Sequence, residues 1–310
     1  MSRVVVLTGG VGGAKLVLGL AYMMPPEHIV AVVNTGDDFV HMGLSISPDI
    51  DTLLYTLSGK SNVAQGWGRE NESWGFLAAL RELGGEDWFA LGDGDLALHV
   101  LRSAALQRGE TLTAITGKFA RAWKIAVTIL PMSDQTVATT LATDEGILPF
   151  QRYFVGRRCE PAVRSIRFAG AESAAPAPGV LEAIADPATR AILIAPSNPF
   201  LSVDPILSVP GVRAALSQTS VPIVAVSPIV GGEAVKGPTA KLMRELGIAV
   251  TNHAIADHYR GVIDGLLVDE RDGAIDLPVA QASADTLMHD LDDRIRVARA
   301  ALALADTLRA

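Results

Sequence analysis

Short β-branched runs alternate with stretches of helical apolar spacing along the chain. Val4-Val5-Val6-Leu7 runs straight into glycines, the pattern of a central parallel strand buried on both faces. Ala14 to Met23 then places apolar residues at helical spacing. Ile29-Val30-Ala31-Val32-Val33 predicts a second buried strand, ending at Asn34-Thr35-Gly36-Asp37-Asp38. A strand, a helix and a second strand in this order predict a right-handed crossover and a parallel sheet. Further strands are predicted at Ala191 to Ala195 and Val221 to Val226, each followed by a polar, Pro-containing turn and a helical stretch. Leu266-Leu267-Val268 is a shorter candidate. The expected fold is α/β: a Rossmann-like, doubly wound, mostly parallel sheet with a more helical inserted region. One domain over residues 1–310 is expected, with a helical or irregular subregion at about 60–165. Gly170 to Pro178, rich in Ala and Pro, reads as a surface connection. Leu291 to Leu308 reads as an amphipathic helix, and no internal repeat is present.

Composition narrows the class. Hydrophobic residues make up 49% of the 310 and charged residues 19%, a globular balance with ample core material. The net charge of -8, with no long basic run, argues against a nucleic-acid partner. The one cysteine, Cys159, excludes an internal disulfide framework and fits a reducing compartment. No apolar run reaches the roughly 18 residues of a membrane span. Met1 to Thr8 reads as a strand and not a signal peptide, because glycines stop the apolar run early. A soluble cytoplasmic protein is expected.

The first candidate chemistry is the turn Gly9-Gly10-Val11-Gly12-Gly13. Backbone N–H groups in such a turn converge, and the next helix begins there with its positive end; both favour phosphate. Glycines leave room for close approach of phosphate oxygens. The established fingerprints do not fit. A P-loop needs Gly-Lys-Ser/Thr, but Ala14 separates Gly13 from Lys15. The dinucleotide pattern needs a third glycine where Lys15 stands. A tight strand-to-helix turn without a ligand is the competing explanation.

Asp37 and Asp38 close the second predicted strand, and Asp49 and Asp51 follow in Ser47-Pro48-Asp49-Ile50-Asp51-Thr52. Ligands of open α/β sheets bind beyond the carboxyl ends of the strands, which places Asp37 and Asp38 beside the glycine turn. Carboxylates beside phosphate repel it unless a hard cation lies between, and Mg²⁺ takes one or two carboxylates plus phosphate oxygens and water. Helix or turn capping would also account for any one of these aspartates. Two further turns, Ala195-Pro196-Ser197-Asn198-Pro199 and Ser227-Pro228-Ile229-Val230-Gly231-Gly232, could line a nucleoside. Arg102, on a predicted helix with His99, could grip a phosphate or carboxylate bidentately, or could lie on a solvated helix face. Trp67 and Trp74 are either core or one wall of an aromatic-ligand pocket. The six histidines show no metal spacing, and Cys159 has no support as a nucleophile.

Taken in order, Thr8 to Lys15, Asn34 to Asp38, Ser47 to Thr52, Gly66-Trp67-Gly68, Leu91 to Asp95, Ala195 to Pro199 and Ser227 to Gly231 resemble the 2-phospho-L-lactate transferase family of deazaflavin coenzyme F-420 biosynthesis, with its bacterial phosphoenolpyruvate transferase branch. The resemblance runs from Val4 to about Met288. It implies a donor in which guanosine diphosphate carries phosphoenolpyruvate, 2-phospholactate or 3-phosphoglycerate. It implies the deazaflavin Fo as acceptor, attack by the terminal ribityl hydroxyl, departure of GMP, a Mg²⁺ ion and a homodimer. Carried onto matching positions, Asp37 and Asp51 become the catalytic and metal-binding carboxylates. Gly10, Gly12 and Gly13 become the phosphate cradle. Ser197, Asn198, Ser227 and Pro228 become the guanosine site, and Asp51, Asp93 and Trp67 become acceptor contacts. One departure stands out: between the two Asp of Leu91-Gly92-Asp93-Gly94-Asp95, where the family usually carries Arg or Lys, this chain has Gly94, and Arg69 or Arg102 is a candidate substitute. The competing class is a nucleotide-sugar-binding regulator of the gluconeogenesis-factor type, which has no need of a deazaflavin pocket. A Rossmann dehydrogenase fails on the missing third glycine.

Overall fold

Arg3–Thr8 (β1), Ile29–Val33 (β2), Thr128–Pro131 (β3), Thr189–Ile194 (β4), Ile223–Val226 (β5), Gly265–Asp269 (β6) and Ala280–Ala284 (β7) form one sheet in a computed structural model that describes residues 2–235, 237–273 and 275–309. The spatial order is β7-β6-β5-β4-β1-β2-β3, and every pairing is parallel. Val4 lies opposite Ile29, and Leu7 lies opposite Ile194. The chain leaves β1 outward through β2 and β3, then returns to its other side with β4 to β7. The order therefore reverses between β1 and β4, and that crevice is the topological switch point of a doubly wound sheet.

Because successive strand residues face opposite sides, β1 feeds two cores. Val4 and Val6 pack with Leu16 and Leu20 of helix α1 (Gly10–Met23), Leu53 and Leu54 of α2 (Pro48–Leu57), and Val297 and Ala301 of the C-terminal helix Leu291–Thr307. Val5 and Leu7 pack on the other face with residues such as Val180, Ile206 and Ile255. The strands foreseen from apolar runs are all present. No helix among the described residues is long and apolar enough to cross a membrane.

The stretch from 60 to 165 holds helices α3 (Gly75–Glu82), α4 (Asp93–Gln107) and α5 (Leu112–Ala122), and it also holds strands the sequence does not announce. Besides β3, it contributes two strands of a separate antiparallel sheet, in which Ala138–Thr143 lies between Gly146–Pro149 and Val163–Ala169. The inward positions of its middle strand are Thr139, Leu141 and Thr143, so two of three buried residues are polar and hide the alternation. Edge strand β7 reads Ala-Gln-Ala-Ser-Ala and has no β-branched residue; the ladder offered by β6 overrides that weak propensity. Gly170 to Pro178 is less peripheral than its composition implies, since Ala171, Ala174 and Ala177 enter the main core.

The α1 face depends on a close approach at Gly19. A Cβ there would lie 2.2 Å from the Arg294 carbonyl oxygen in the backbone of the C-terminal helix. An alanine in mid-helix ordinarily gains roughly 0.5–1 kcal/mol over glycine. Overpacking a close contact costs typically about 1–3 kcal/mol, so the clash wins. Gly19→Ala is expected to lower stability in urea unfolding, and a variant as stable as wild type would show that the two helices can separate freely.

Candidate active site

The switch point is built by two loops that leave no space between them. Gly12 and Gly13, in the first turn of α1, pack against the end of β1 and the loop after β4: a Cβ on Gly12 would sit 2.5 Å from the Pro196 carbonyl oxygen, and one on Gly13 would sit 2.0 Å from Thr8 Oγ1. Ser197 Oγ stitches the loops further by donating to the Gly9 carbonyl at 2.7 Å. Gly12 and Gly13 are thus glycine because of the protein's own packing, not only for the sake of a ligand. Gly10 differs: its φ is +64°, a left-handed value, and a Cβ there would meet nothing within 4 Å. Its N–H is already given to Asp49 Oδ1 at 2.8 Å. The remaining first-turn N–H groups of α1 have no partner within the helix by construction.

The other expected nucleoside residues divide. Asn198 Oδ1 accepts the Phe200 and Leu201 N–H groups at 3.0 and 3.2 Å, which leaves a buried Nδ2 with no hydrogen-bond partner. Ser227 is engaged by the fold, donating to Asn252 Oδ1 and accepting the Ile229 N–H at 3.1 Å, with Pro228 half-buried beside it.

Behind the glycine turn lies a buried acidic pocket. Asp37, Asp49 and Asp51 are 7%, 6% and 4% exposed, and Asp38 is half-buried. Ser47 precedes α2, yet neither Asp49 nor Asp51 caps that helix. Asp49 accepts from Gly10 and from Asn34 Nδ2 at 2.9 Å. Asn34 is wholly buried at the end of β2, where it also receives the Gly36 N–H and reaches the Leu201 carbonyl. Its coupling role was not visible in the sequence, because an Asn in a strand-end turn is ordinary. Asp38 accepts from Ser47 Oγ at 2.7 Å.

Asp51 is held from α4. Both its oxygens take Arg102, Nη1 at 3.1 Å and Nη2 in a shorter contact, and His99 Nδ1 lies 3.7 Å away. His99 Nε2 is 3.1 Å from Asp95, which also accepts the Tyr55 hydroxyl. Asp95, His99 and Arg102 follow at helical spacing on one face of α4, so the carboxylates of α2 meet a preset row of partners. Arg102 is therefore neither a solvated residue nor an open anion receptor.

Burial pushes the carboxyls of Asp37 and Asp38 well above the usual range. It pushes Asp49 up to about 6 against the hydrogen bonds from Asn34 and Gly10. Burial also raises Asp51, opposed by Arg102 and His99. Asp37 feels Asp49 and Asp38, while Asp38 feels Asp51 and Asp49, so the four form one electrostatic unit. Asp37 Oδ1 and Asp38 Oδ1 are buried with no hydrogen-bond partner. Among the described residues no group of three or more His, Cys, Asp and Glu is arranged to hold a metal. The open oxygens fall on Asp37 and Asp38, whereas both oxygens of Asp51 are taken by Arg102.

A cleft of about 90 Å³ runs outward from the same glycine turn, lined by Val11 and Lys15 of α1, Thr52 and Thr56 of α2, Arg294 and Trp67. Trp67 is 53% exposed and forms a wall of the cleft, not core. Lys15 Nζ donates to the Met288 carbonyl, and Arg294 Nε is buried without a hydrogen-bond partner. Asp93 is outside this wall. It accepts from Ser73 Oγ and from the Gly75 and Phe76 N–H groups at 2.7, 3.0 and 2.9 Å, and so caps α3.

These features define a Rossmann-type α/β protein whose candidate site lies at the switch point, with buried carboxylates and an aromatic-walled cleft beside the glycine turn. Residues 4–308 match the family model described as 2-phospho-L-lactate transferase CofD, and the chain belongs to that family. It is 42% identical to a phosphoenolpyruvate transferase of Streptomyces avermitilis, over 99% of both chains. It is 41% identical to a 2-phospho-L-lactate transferase of Methanosarcina mazei, over 92% of this chain and 94% of that one. A crystal structure of a UPF0052-family protein from Bacillus halodurans shares the fold, with a TM-score of 0.63 at 18% identity over 97% of this chain and 100% of that one.

Removing Arg102 would strand a buried carboxylate. Breaking such a pair from one side costs about 3–5 kcal/mol, because the remaining charge is uncompensated. Arg102→Ala is expected to lose stability on that scale in urea unfolding, and a loss under about 1 kcal/mol would show that water already reaches Asp51.

Proposed function

We propose that the chain transfers a phospho-acid from its guanosine-diphosphate-activated donor to the terminal ribityl hydroxyl of the deazaflavin Fo, releasing GMP, in coenzyme F-420 biosynthesis. The observation that carries this reading is the convergence at one switch point of a phosphate-type glycine turn, two buried carboxylates with unanswered oxygens, and a Trp67 cleft opening from the same helix. A regulator that only bound a nucleotide sugar would leave the last two without a task. Family membership, with relatives named for phosphoenolpyruvate and for 2-phospholactate transfer, supports the same class.

In the proposed step the hydroxyl oxygen forms a bond to the phosphorus that bears the acid. The bond from that phosphorus to the oxygen shared with GMP breaks, and the hydroxyl proton is released. Phosphoryl-type transfer is mostly positioning and charge neutralisation. The first-turn N–H groups beyond Gly10, those of Gly12 and Gly13 among them, would receive donor phosphate, with Gly10 leaving open space beside them. Asn198 Nδ2 would meet the nucleoside. Asp51, oriented by Arg102, is the proposed catalytic acceptor for the hydroxyl, and Asp37 is the second catalytic carboxylate. Mg²⁺ fits the open oxygens of Asp37 and Asp38 better than the paired ones of Asp51, and when bound it supplies neutralisation of phosphate charge. Trp67 would lie against the deazaflavin ring, while Asp93 would support that region through α3. A homodimer belongs to the same reading.

Purified protein with Mg²⁺, Fo and each of the three guanylylated donors is expected to yield a phosphodiester-linked deazaflavin acid and GMP by mass spectrometry. Absence of Fo conversion with all three would overturn the reading, and competition among them identifies the acid. Asp51→Asn is expected to cut turnover by roughly 10²–10⁴-fold, the usual contribution of a positioned proton acceptor, with a stability loss on the Arg102→Ala scale because the same buried pair is broken, and with its circular dichroism spectrum preserved in the absence of denaturant. Near-normal turnover in that variant removes Asp51 from the reacting centre.

A further inference from the structure

The start of α4 lacks side chains at its N-cap, Gly92, and in its first turn, Gly94, and a pair from the loop before α3 fills the space. A Cβ on Gly94 would lie 1.6 Å from Arg69 Nη1, and one on Gly92 would lie 2.4 Å from the Glu72 carboxyl group. Glu72, 6% exposed at its side chain, accepts the Gly94 N–H through Oε2 at 2.6 Å and Arg69 Nη1 through Oε1 at 3.1 Å. A carboxylate at a helix N-terminus is favourable there, whereas a guanidinium faces the positive end of the helix dipole. Arg69 is nevertheless held at that spot with its side chain 30% exposed. Among the described residues its one side-chain hydrogen bond goes to Glu72, so most of its five N–H donors stay open. It follows directly on the Gly66-Trp67-Gly68 wall of the cleft, and one to two turns further along α4 stand His99 and Arg102, which reach Asp51.

We propose that Arg69 binds the carboxylate of the transferred acid, and that Gly94 is the residue that makes room for it; this assignment rests on the transferase reading above. The chemistry of the substrates points to that group. Donor phosphates have the glycine turn, and the acceptor brings rings and hydroxyls. The acid's carboxylate is the anion left without a partner, and a fixed guanidinium fork suits a carboxylate. Of the other cations nearby, Arg102 is buried and spent on Asp51, and Lys15 of the cleft donates to the Met288 carbonyl. Arg294, which lines the cleft from the C-terminal helix, is the comparison residue.

The test uses the full chain and compares wild type with Arg69→Ala, Arg69→Lys, Arg294→Ala and the exchange Arg69→Ala/Gly94→Arg, which returns a guanidinium to the same space from α4. Four quantities are measured: KM for the donor, KM for Fo, inhibition by GDP, which lacks the acid, and the melting temperature. Arg69→Ala is expected to raise donor KM at least about tenfold, with GDP inhibition and Fo KM changed less than about twofold, the signature of a contact to the acid alone. Arg69→Lys, which keeps the charge but loses the fork, is expected to fall between, and the exchange to recover to within about threefold. GDP inhibition weakening in step with donor KM, a rise in Fo KM alone, or a donor effect confined to Arg294→Ala would each overturn the assignment. A fall in melting temperature that the exchange repairs without repairing donor KM would reduce Arg69 to a structural brace and overturn it as well. A wild type without turnover overturns the transferase reading and this assignment together, whereas an active wild type with an indifferent Arg69→Ala overturns the assignment alone.

Discussion

Asp37, Asp38, Asp49 and Asp51 are withdrawn from water behind the glycine turn, and one buried guanidinium, that of Arg102, is there to answer them. Burying a carboxylate costs several kcal/mol unless it is paired or hydrogen-bonded, so this cluster dictates what surrounds it. Asn34 and the Gly10 N–H answer Asp49, Ser47 answers Asp38, and Arg102 with His99 answers Asp51. Each answer comes from a different element: the end of β2, the start of α1, the approach to α2, and α4. The pocket thereby fixes the relative placement of four elements around it. What remains unanswered, one oxygen each on Asp37 and Asp38, is the part of the cluster the fold does not satisfy from within. Displaced carboxyl pKa values and incomplete internal neutralisation are more common at functional sites than elsewhere, which makes this cluster the candidate one.

The same logic explains how tightly the switch point is closed. With Gly12 against Pro196 and Gly13 against Thr8 and Ser197, the loops after β1 and β4 are in close contact and are joined by the Ser197–Gly9 hydrogen bond. Rigid backbone donors need no reorganisation when charge arrives, which is where preorganised sites gain over water. The open positions are few: Gly10, whose missing side chain faces space, and the Asn198 amide with its free donor. The site is thus mostly locked, with a small number of groups left free.

The central strands were legible in the sequence because parallel strands buried on both faces are written as unbroken apolar runs, as in Val4 to Leu7 and Ile29 to Val33. The second sheet was not, because Thr139 and Thr143 occupy inward positions and break the pattern, and β7 has no β-branched residue to announce it beside its neighbour's ladder. At the site, the glycine turn and the aspartates could be placed by the rule that ligands gather beyond the carboxyl ends of strands. Which aspartate meets which partner could not. The pairing of Asp51 with Arg102 joins residues 51 apart in sequence, and nothing local distinguishes Asp51 from Asp49, whose carboxyl turns to Gly10 instead. Asp93 was legible as part of a motif, yet its oxygens cap α3, a duty that depends on where Ser73 to Phe76 come to rest.

Gly94 shows how a missing side chain in a motif can mislead when read along the chain alone. In sequence it is a loss of charge; in space the position is filled, because Arg69 crosses from the neighbouring loop into the volume a Cβ would claim. Glu72 makes this arrangement possible by satisfying the helix N-terminus and the guanidinium with its two oxygens, and Gly92 gives Glu72 its room. The trade has a physical consequence beyond charge conservation. A cation on α4 would move with the helix that holds Asp51, whereas Arg69 moves with the loop that carries Trp67. Under the proposal above, anchoring the acid would be coupled to the wall of the Trp67 cleft, so that one segment of chain and not two independent ones would bring the two proposed substrates into register.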